Sequence, residues 1–262
     1  NKDFMLCVWY RRDFEIPEGW HGKNVLLHFG AVDYRAVVYV NGEYVGEHRG
    51  GYTPFSFDIT HFLREEGNYV TLCAYDDVRS HNQPAGKQCP VLRSCGCSYT
   101  RTTGIWQTVW LESVDECHAE SIKITCCAES IQSERAAVSL DVKLSGAFFG
   151  CKIIAEAFWN GRKVGNAEAE ALSQAVCMHI ELDEKHLWTV GEGNLKIIIE
   201  KSGVACDDIT SYFGLRSVCL DGYKFKINGK TVFGRWVLDQ GFYPDGIYTA
   251  PSDEALRNDI LY

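Results

Sequence analysis

Asp239, Gln240 and Asp245 share one loop, DQGFYPDG. Paired carboxylates suggest acid–base work, but two aspartates six residues apart on a single loop have no enforced separation. Loop carboxylates are mostly solvated or turn-forming. The three residues read instead as hydroxyl-binding groups, the carboxylates accepting and the Gln240 amide both donating and accepting. A second polar set, Asp77, Lys87 and Gln88, lies in the loop over 76–101, which is rich in Gly, Pro and Cys. Loops that long in a compact domain are commonly either functional or solvated and poorly ordered. Trp106, Trp110 and Trp236 offer flat apolar ring faces, although Trp110, between Val109 and Leu111, suits a core position better. His48 has no second His or carboxylate at ligand spacing and reads as a hairpin hydrogen-bonder. Arg216 reads as an ion pair or backbone clamp. No Ser-His-Asp order, phosphate loop or dinucleotide fingerprint is present.

Twelve cysteines raise the questions of metal and redox state. Cys89, Cys95 and Cys97 come nearest to a cluster, but they lack the paired CxxC spacing of zinc ribbons, and no metal or cofactor is expected from them. Cys126 and Cys127 point to opposite faces of a strand and cannot easily serve one ion. Buried, reduced thiols in a cytoplasmic protein are the expectation. A net charge of −9 argues against nucleic acid or an anionic membrane as the main partner. No apolar run is long enough to span a bilayer. Asn1 falls within an ongoing strand pattern, which leaves a removed signal peptide open.

The elements that must position these residues are mainly strands. From 4 to 112, short strands with turn signals between them argue for a β-sandwich or jelly roll, with strands over 23–29, 36–40, 56–60, 69–75 and 103–112. Asn41-Gly42 is a hairpin signal, since both central positions of a type I′ turn need positive φ. From 116 to 219 a second β-domain follows, with strands over 121–128, 137–144, 152–159, 175–181 and 194–200 and a hairpin at Asn160-Gly161. Its length and strand number fit an immunoglobulin-like sandwich, without the Cys-Trp-Cys spacing of antibody domains. After a third hairpin at Asn228-Gly229, a strand over 232–238, a loop over 239–248 and a helix opening at Pro251-Ser252 make a βα unit. Such a unit cannot stand alone, and an α/β barrel needs about 250 residues against roughly 40 here, so chemistry is expected beyond Tyr262. The expected division is 1–114, 115–220 and 221–262.

Together the motifs carry a resemblance. Asp33-Tyr34-Arg35-Ala36, Val40-Asn41-Gly42, Gly50-Gly51-Tyr52-Thr53-Pro54-Phe55 and Phe57-Asp58-Ile59-Thr60 resemble the sugar-binding domain of glycoside hydrolase family 2, which includes β-galactosidases, β-glucuronidases and β-mannosidases. Gly86-Lys87-Gln88, TGIWQTVWLE over 103–112, Leu187-Trp188, Tyr212-Phe213-Gly214-Leu215-Arg216 and Ile227-Asn228-Gly229-Lys230 fit the same family in the same order. The resemblance implies a jelly-roll sugar-binding domain, an immunoglobulin-like β-sandwich and the first βα unit of a truncated (β/α)8 barrel. It also implies a retaining glycosidase with two glutamates, acid/base and nucleophile, about 5–5.5 Å apart on later barrel strands. Both are expected beyond Tyr262, so this chain is expected to be inactive alone.

The implied partner is a carbohydrate, with Asp239, Gln240, Asp245, Asp77, Lys87 and Gln88 as substrate-binding candidates. A divalent or sodium ion, and an oligomer, stay open for the complete enzyme. Better-known members carry an Asn-Arg-His-Glu type sequence where this chain has DQGFYPDG, which bears on substrate specificity. A non-catalytic carbohydrate-binding or adhesion protein is the rival reading, and the tail from Trp236 is what such a module has no reason to carry.

Overall fold

Alternation of apolar and polar residues sets most of the strands. The computed structural model describes residues 3–126, 136–188 and 193–261, and these are mainly β. Two compact units are present, Asn1–Ser113 with Leu238–Tyr262, and Val114–Val237.

The first unit contains β1 (Cys7–Phe14), β2 (Asn24–Phe29), β3 (Val32–Asp33), β4 (Arg35–Val40), β5 (Glu43–Arg49), β6 (Phe55–Asp58), β7 (Asn68–Tyr75), β8 (Gly104–Ile105) and β9 (Val109–Val114). They form sheets in the orders β1-β7-β4-β5, β6-β2-β9 and β3-β8. Val25, Leu27 and Phe29 of β2 pack in one core with Ala36, Val38 and Val40 of β4 and with Leu72 and Ala74 of β7. The β4–β5 turn has φ 54° at Asn41 and 88° at Gly42, as a type I′ turn requires. Asn41 does more than turn the chain. Its Nδ2 donates to Phe62 O and Asn68 Oδ1 at 2.8 Å each, and its Oδ1 accepts from Tyr69 N–H at 3.0 Å. A buried amide with these partners avoids the desolvation cost of an unpaired one.

The single strand expected over 103–112 is two. β8 pairs with β3 and β9 with β2, and the chain between them leaves the ladder. Three features explain the break: φ of 95° at Gly104, a bond from Trp106 Nε1 to Gly51 O at 2.7 Å, and one from Gly30 N to Thr108 O at 2.8 Å.

The second unit contains β10 (Ala119–Cys126), β11 (Ala136–Leu144), β12 (Cys151–Trp159), β13 (Arg162–Glu170), β14 (Ala175–Leu182), β15 (Gly193–Lys201), β16 (Val204–Phe213), β17 (Val218–Asp221), β18 (Lys224–Ile227) and β19 (Lys230–Thr231). Sheets β10-β11-β14 and β13-β12-β15-β16 bury alternate residues, among them Val138, Leu140 and Val142 of β11, Ile153 of β12, and Leu195, Ile197 and Ile199 of β15. β17-β18-β19 form a small meander. Positive φ at Asn160, Gly161, Asn228 and Gly229 supports the other two hairpins. Cys127 and Ala128, which the sequence puts in a strand, lie outside the described residues.

The expected strand over 232–238 is absent, and these residues have no regular secondary structure. A lone first strand has no neighbour to pair its backbone, and Phe233, Trp236, Val237 and Leu238 stand exposed. The tail set apart as 221–262 is thereby shared: β18 and β19 lie in the second unit, and Leu238–Tyr262 in the first. A helix does form, α1 (Asp253–Leu261), with Ser252 Oγ accepting from Ala255 N–H at 3.2 Å and Asp253 and Glu254 in its first turn.

Cys7, Cys95, Cys97 and Cys219 stand exposed, which corrects the expectation of uniformly buried thiols, while Cys117 and Cys151 lie side by side in the core of the second unit. No helix among the described residues is long and apolar enough to cross a membrane, and no three metal-ligating side chains among them come together.

Candidate functional site

In the first unit, the long loop from Asp76 and the segment over 239–249 meet, and side-chain bonds hold them together. Lys87 Nζ donates to Gln240 Oε1 at 2.8 Å, joining residues 153 positions apart in the chain. Tyr52 and Tyr248 share a hydroxyl–hydroxyl bond of 2.7 Å, and Thr249 Oγ1 donates to Trp106 O at 3.1 Å. The rings fill in around these bonds. Tyr248 lies 4.9 Å from Trp106 and 5.0 Å from Tyr99, edge to face, and Tyr99 lies 5.9 Å from Phe242. Burial raises the Tyr52 hydroxyl to about 12 and pushes that of Tyr248 up as well, so both stay protonated as donors.

Beneath this cluster lies a buried polar layer. Gln88 Nε2 donates to Asp33 Oδ2 at 2.8 Å, and Gln88 Oε1 accepts from Thr102 N–H at 2.7 Å. Asp76 accepts from Gln83 Nε2 at 2.6 Å and from Thr103 Oγ1 at 2.7 Å. Burial first, then the nearby Asp76 charge, raise Asp33 from the ordinary 3.8 to about 7, against the lowering effect of its Gln88 bond. Asp76 is also raised, chiefly by burial. Both aspartates are almost wholly excluded from solvent. They therefore hold the loop in shape from beneath. Arg101 fixes the far end, donating to Val91 O at 2.9 Å with its guanidinium 4.2 Å over the Phe4 ring.

The six sequence candidates are placed differently. Lys87 and Gln240 are in contact, and Gln88 is buried one residue behind Lys87. Asp245 lines a cavity of about 350 Å³ with Arg101, Thr103, Trp106 and Thr249. Asp239 holds its own turn, accepting from Gly241 N–H at 2.8 Å. Asp77 faces a separate cleft of about 410 Å³ with Arg35, Arg49, Asn82 and Gln83. Ile247, a buried β-branched residue at φ 54°, marks a strained turn closed by paired Tyr243–Ile247 backbone bonds of 3.1 Å.

Among the aromatics, Trp106 joins the cluster, whereas Trp110 is 44% exposed and stacks on His28, so the core placement is corrected. β9 is an edge strand of its sheet, and its first two residues, Val109 and Trp110, are both exposed. Trp236 is exposed, edge-on to Phe225. His48 bonds Thr53 Oγ1 at 3.1 Å, and Arg216 lies 4.8 Å over the Trp188 ring. Sequence reasoning missed Tyr52, Tyr99, Tyr248 and Asp33 as site builders. The one available signal was Gly51, where a Cβ would stand 2.5 Å from Asp33 Oδ1.

Residues 3–88 match the profile of glycosyl hydrolases family 2, sugar binding domain. The first unit carries a family 2 sugar-binding domain. Likeness to family 2 enzymes extends over most of the chain. It is 30% identical over 241 residues to a β-galactosidase of Thermoanaerobacter pseudethanolicus, covering 88% of this chain and 31% of that protein. It is 22% identical to a β-glucuronidase of Paenibacillus borealis, covering 88% of this chain and 40% of that protein. Among solved structures, β-glucuronidase 2 of Bacteroides uniformis, covalently bound to cyclophellitol-6-carboxylate aziridine, superposes with a TM-score of 0.75 at 25% identity. That match covers 98% of this chain and 32% of the other. The chain spans about a third of the length of the curated relatives it matches.

Proposed function

We propose that this chain is the N-terminal, non-catalytic part of a retaining O-glycosidase acting on β-galactoside or β-glucuronide type substrates. Residues 1–114 are its jelly-roll sugar-binding domain, 115–220 its immunoglobulin-like sandwich, and 221–262 lead into a (β/α)8 barrel whose first strand, over 232–238, needs barrel neighbours in order to form. The two catalytic glutamates of the retaining mechanism come from barrel strands outside these residues. The observation that carries this reading is the Lys87–Gln240 bond, which fixes a polar pair beside the aromatic cluster of Tyr99, Trp106, Phe242 and Tyr248. Aromatic faces match the apolar face of a pyranose, while an ammonium and an amide match its hydroxyls.

Lys87, Gln240 and Asp245 make the sugar contacts in this reading. Gln88 is a positioning residue, because its amide is buried on Asp33. Asp77, in its separate cleft, and Asp239, which holds its own turn, stand apart from these contacts. A cytoplasmic location rests on the cysteine usage of the sequence alone. With both catalytic glutamates assigned to barrel strands outside these residues, the chain by itself binds without cleaving in this reading. Chromogenic aryl β-galactoside and β-glucuronide give the test. No turnover is expected from the purified chain, together with saturation-transfer NMR signals for galactose or glucuronate that Lys87→Ala removes. Turnover by the chain alone, or the absence of any sugar signal, overturns the reading.

A further inference from the structure

β1 and β7 pair antiparallel, with Cys7 opposite Tyr75 and Trp9 opposite Cys73. Cys7 and Cys73 are therefore diagonal neighbours whose side chains leave the same face of the sheet. Their Sγ atoms stand 2.9 Å apart. A formed disulfide measures about 2.0 Å, so under an ångström of approach remains. The two thiols differ in access: Cys7 is exposed and Cys73 buried. Burial, then the hydrogen bond with Cys7, raise Cys73 to about 11, which keeps it a protonated thiol while its partner is reduced.

We infer that Cys7 and Cys73 form a redox-active pair that a hydroperoxide closes to a reversible cross-strand disulfide. This modification site is independent of the sugar-binding reading. The Cys7 sulfur, as thiolate, attacks the peroxide, the O–O bond breaks, and Cys7 becomes a sulfenic acid while the departing oxygen takes a proton. The Cys73 sulfur then attacks the Cys7 sulfur, the S–O bond breaks, and the hydroxyl leaves as water with the Cys73 proton. Two thiols and one hydroperoxide give one disulfide, one alcohol or water, and one water. Sulfur loses two electrons and the peroxide gains them.

Two further features set the behaviour of the pair. β1 is the edge strand of its sheet, hydrogen-bonded on one side only, so it can shift as the bond closes. Diagonal neighbours in a sheet have Cα atoms about 7–8 Å apart, beyond the roughly 6.8 Å upper range of relaxed disulfides. A bridge there is strained, and strained, exposed disulfides are readily reduced again. The bond would also act at the root of the long loop, because Asp76 N–H donates to Leu6 O at 3.1 Å, beside Cys7.

The test is peptide mapping of the intact chain after hydrogen peroxide in molar excess, with free thiols blocked by iodoacetamide in denaturant. The expected product is a Cys7 peptide joined to a Cys73 peptide, two hydrogens lighter than their sum and parted by dithiothreitol. In Cys7→Ser, at an exposed position, this product is absent while the far-ultraviolet circular dichroism of the chain is unchanged. Recovery of Cys73 as a blocked thiol beside Cys7 oxidised to sulfinic acid overturns the inference. So does linkage of either residue to a different cysteine.

Discussion

The two units solve the problem of a β core in opposite ways. Among the described residues, Asp33, Asn41, Asn68, Asp76, Gln88 and Arg101 are the buried polar or charged side chains of the first unit, while the second buries only Ser145. The second unit is held by interleaved aliphatic side chains, which are tolerant of direction and purely stabilising. In the first unit, buried carboxylates and amides must find specific partners, and each partner fixes a loop. Polar burial of this kind costs stability and supplies geometry. It is concentrated where the candidate site is assembled.

Substitutions can break or sharpen this contrast. The largest effect is expected from Ile197→Ala, at a fully buried position of β15, which should cost the second unit about 3–4 kcal/mol. Urea unfolding should show the loss in that unit's transition, and an equal loss in the first unit's transition would erase the distinction. Gly51→Ala comes next. Its Cβ would meet Asp33 Oδ1 at 2.5 Å and Cγ at 2.8 Å, and a carboxylate held by Gln88 cannot swing away. A loss of about 2–3 kcal/mol from the first unit is expected, with the second unaffected.

Asp33→Asn should act with the opposite sign. With its folded value raised from 3.8 to about 7, Asp33 in the folded chain keeps a proton that the unfolded chain releases between those pH values. Its contribution is therefore fully present below pH 3.8 and lost as pH rises toward 7. Asparagine does not ionise and can still accept from Gln88. The variant should be about 1–2 kcal/mol more stable than the parent at pH 8 and show a flatter stability profile over the acid range, by thermal unfolding at a series of pH values. An unchanged profile would show that Asp33 titrates in the fold as it does in the unfolded chain. The smallest effect belongs to Lys87→Ala, where an exposed bond to Gln240 should contribute under about 0.5 kcal/mol to stability while sugar signals vanish.

How much was legible in the sequence follows the same division. Five strands of the second unit, β10, β11, β12, β14 and β15, could be placed to within about two residues from alternation, whereas β13 and β16, with few fully buried positions, could not. Hairpins at Asn41, Asn160 and Asn228 were legible for a local reason, the need for positive φ. The first unit hid its logic. Gln88 looks like a surface glutamine until Asp33, 55 residues earlier, is brought beside it. The break after Ile105 depends on Gly51 and Gly30 accepting and donating from distant loops, which no local pattern encodes. The packing of Tyr248 against Tyr52, 196 residues away, is equally invisible to periodicity.

That long reach has a consequence for how the molecule is made. The second unit is one unbroken stretch of chain, whereas the first is assembled from two stretches on either side of it. During synthesis the front half of the first unit emerges, then waits while the whole of the second is produced and can fold. Only when residues 239–249 leave the ribosome can Gln240 reach Lys87 and Tyr248 reach Tyr52. The candidate site is thus completed late in synthesis, and a polypeptide released before Leu238 would carry a folded second unit beside an unfinished first one.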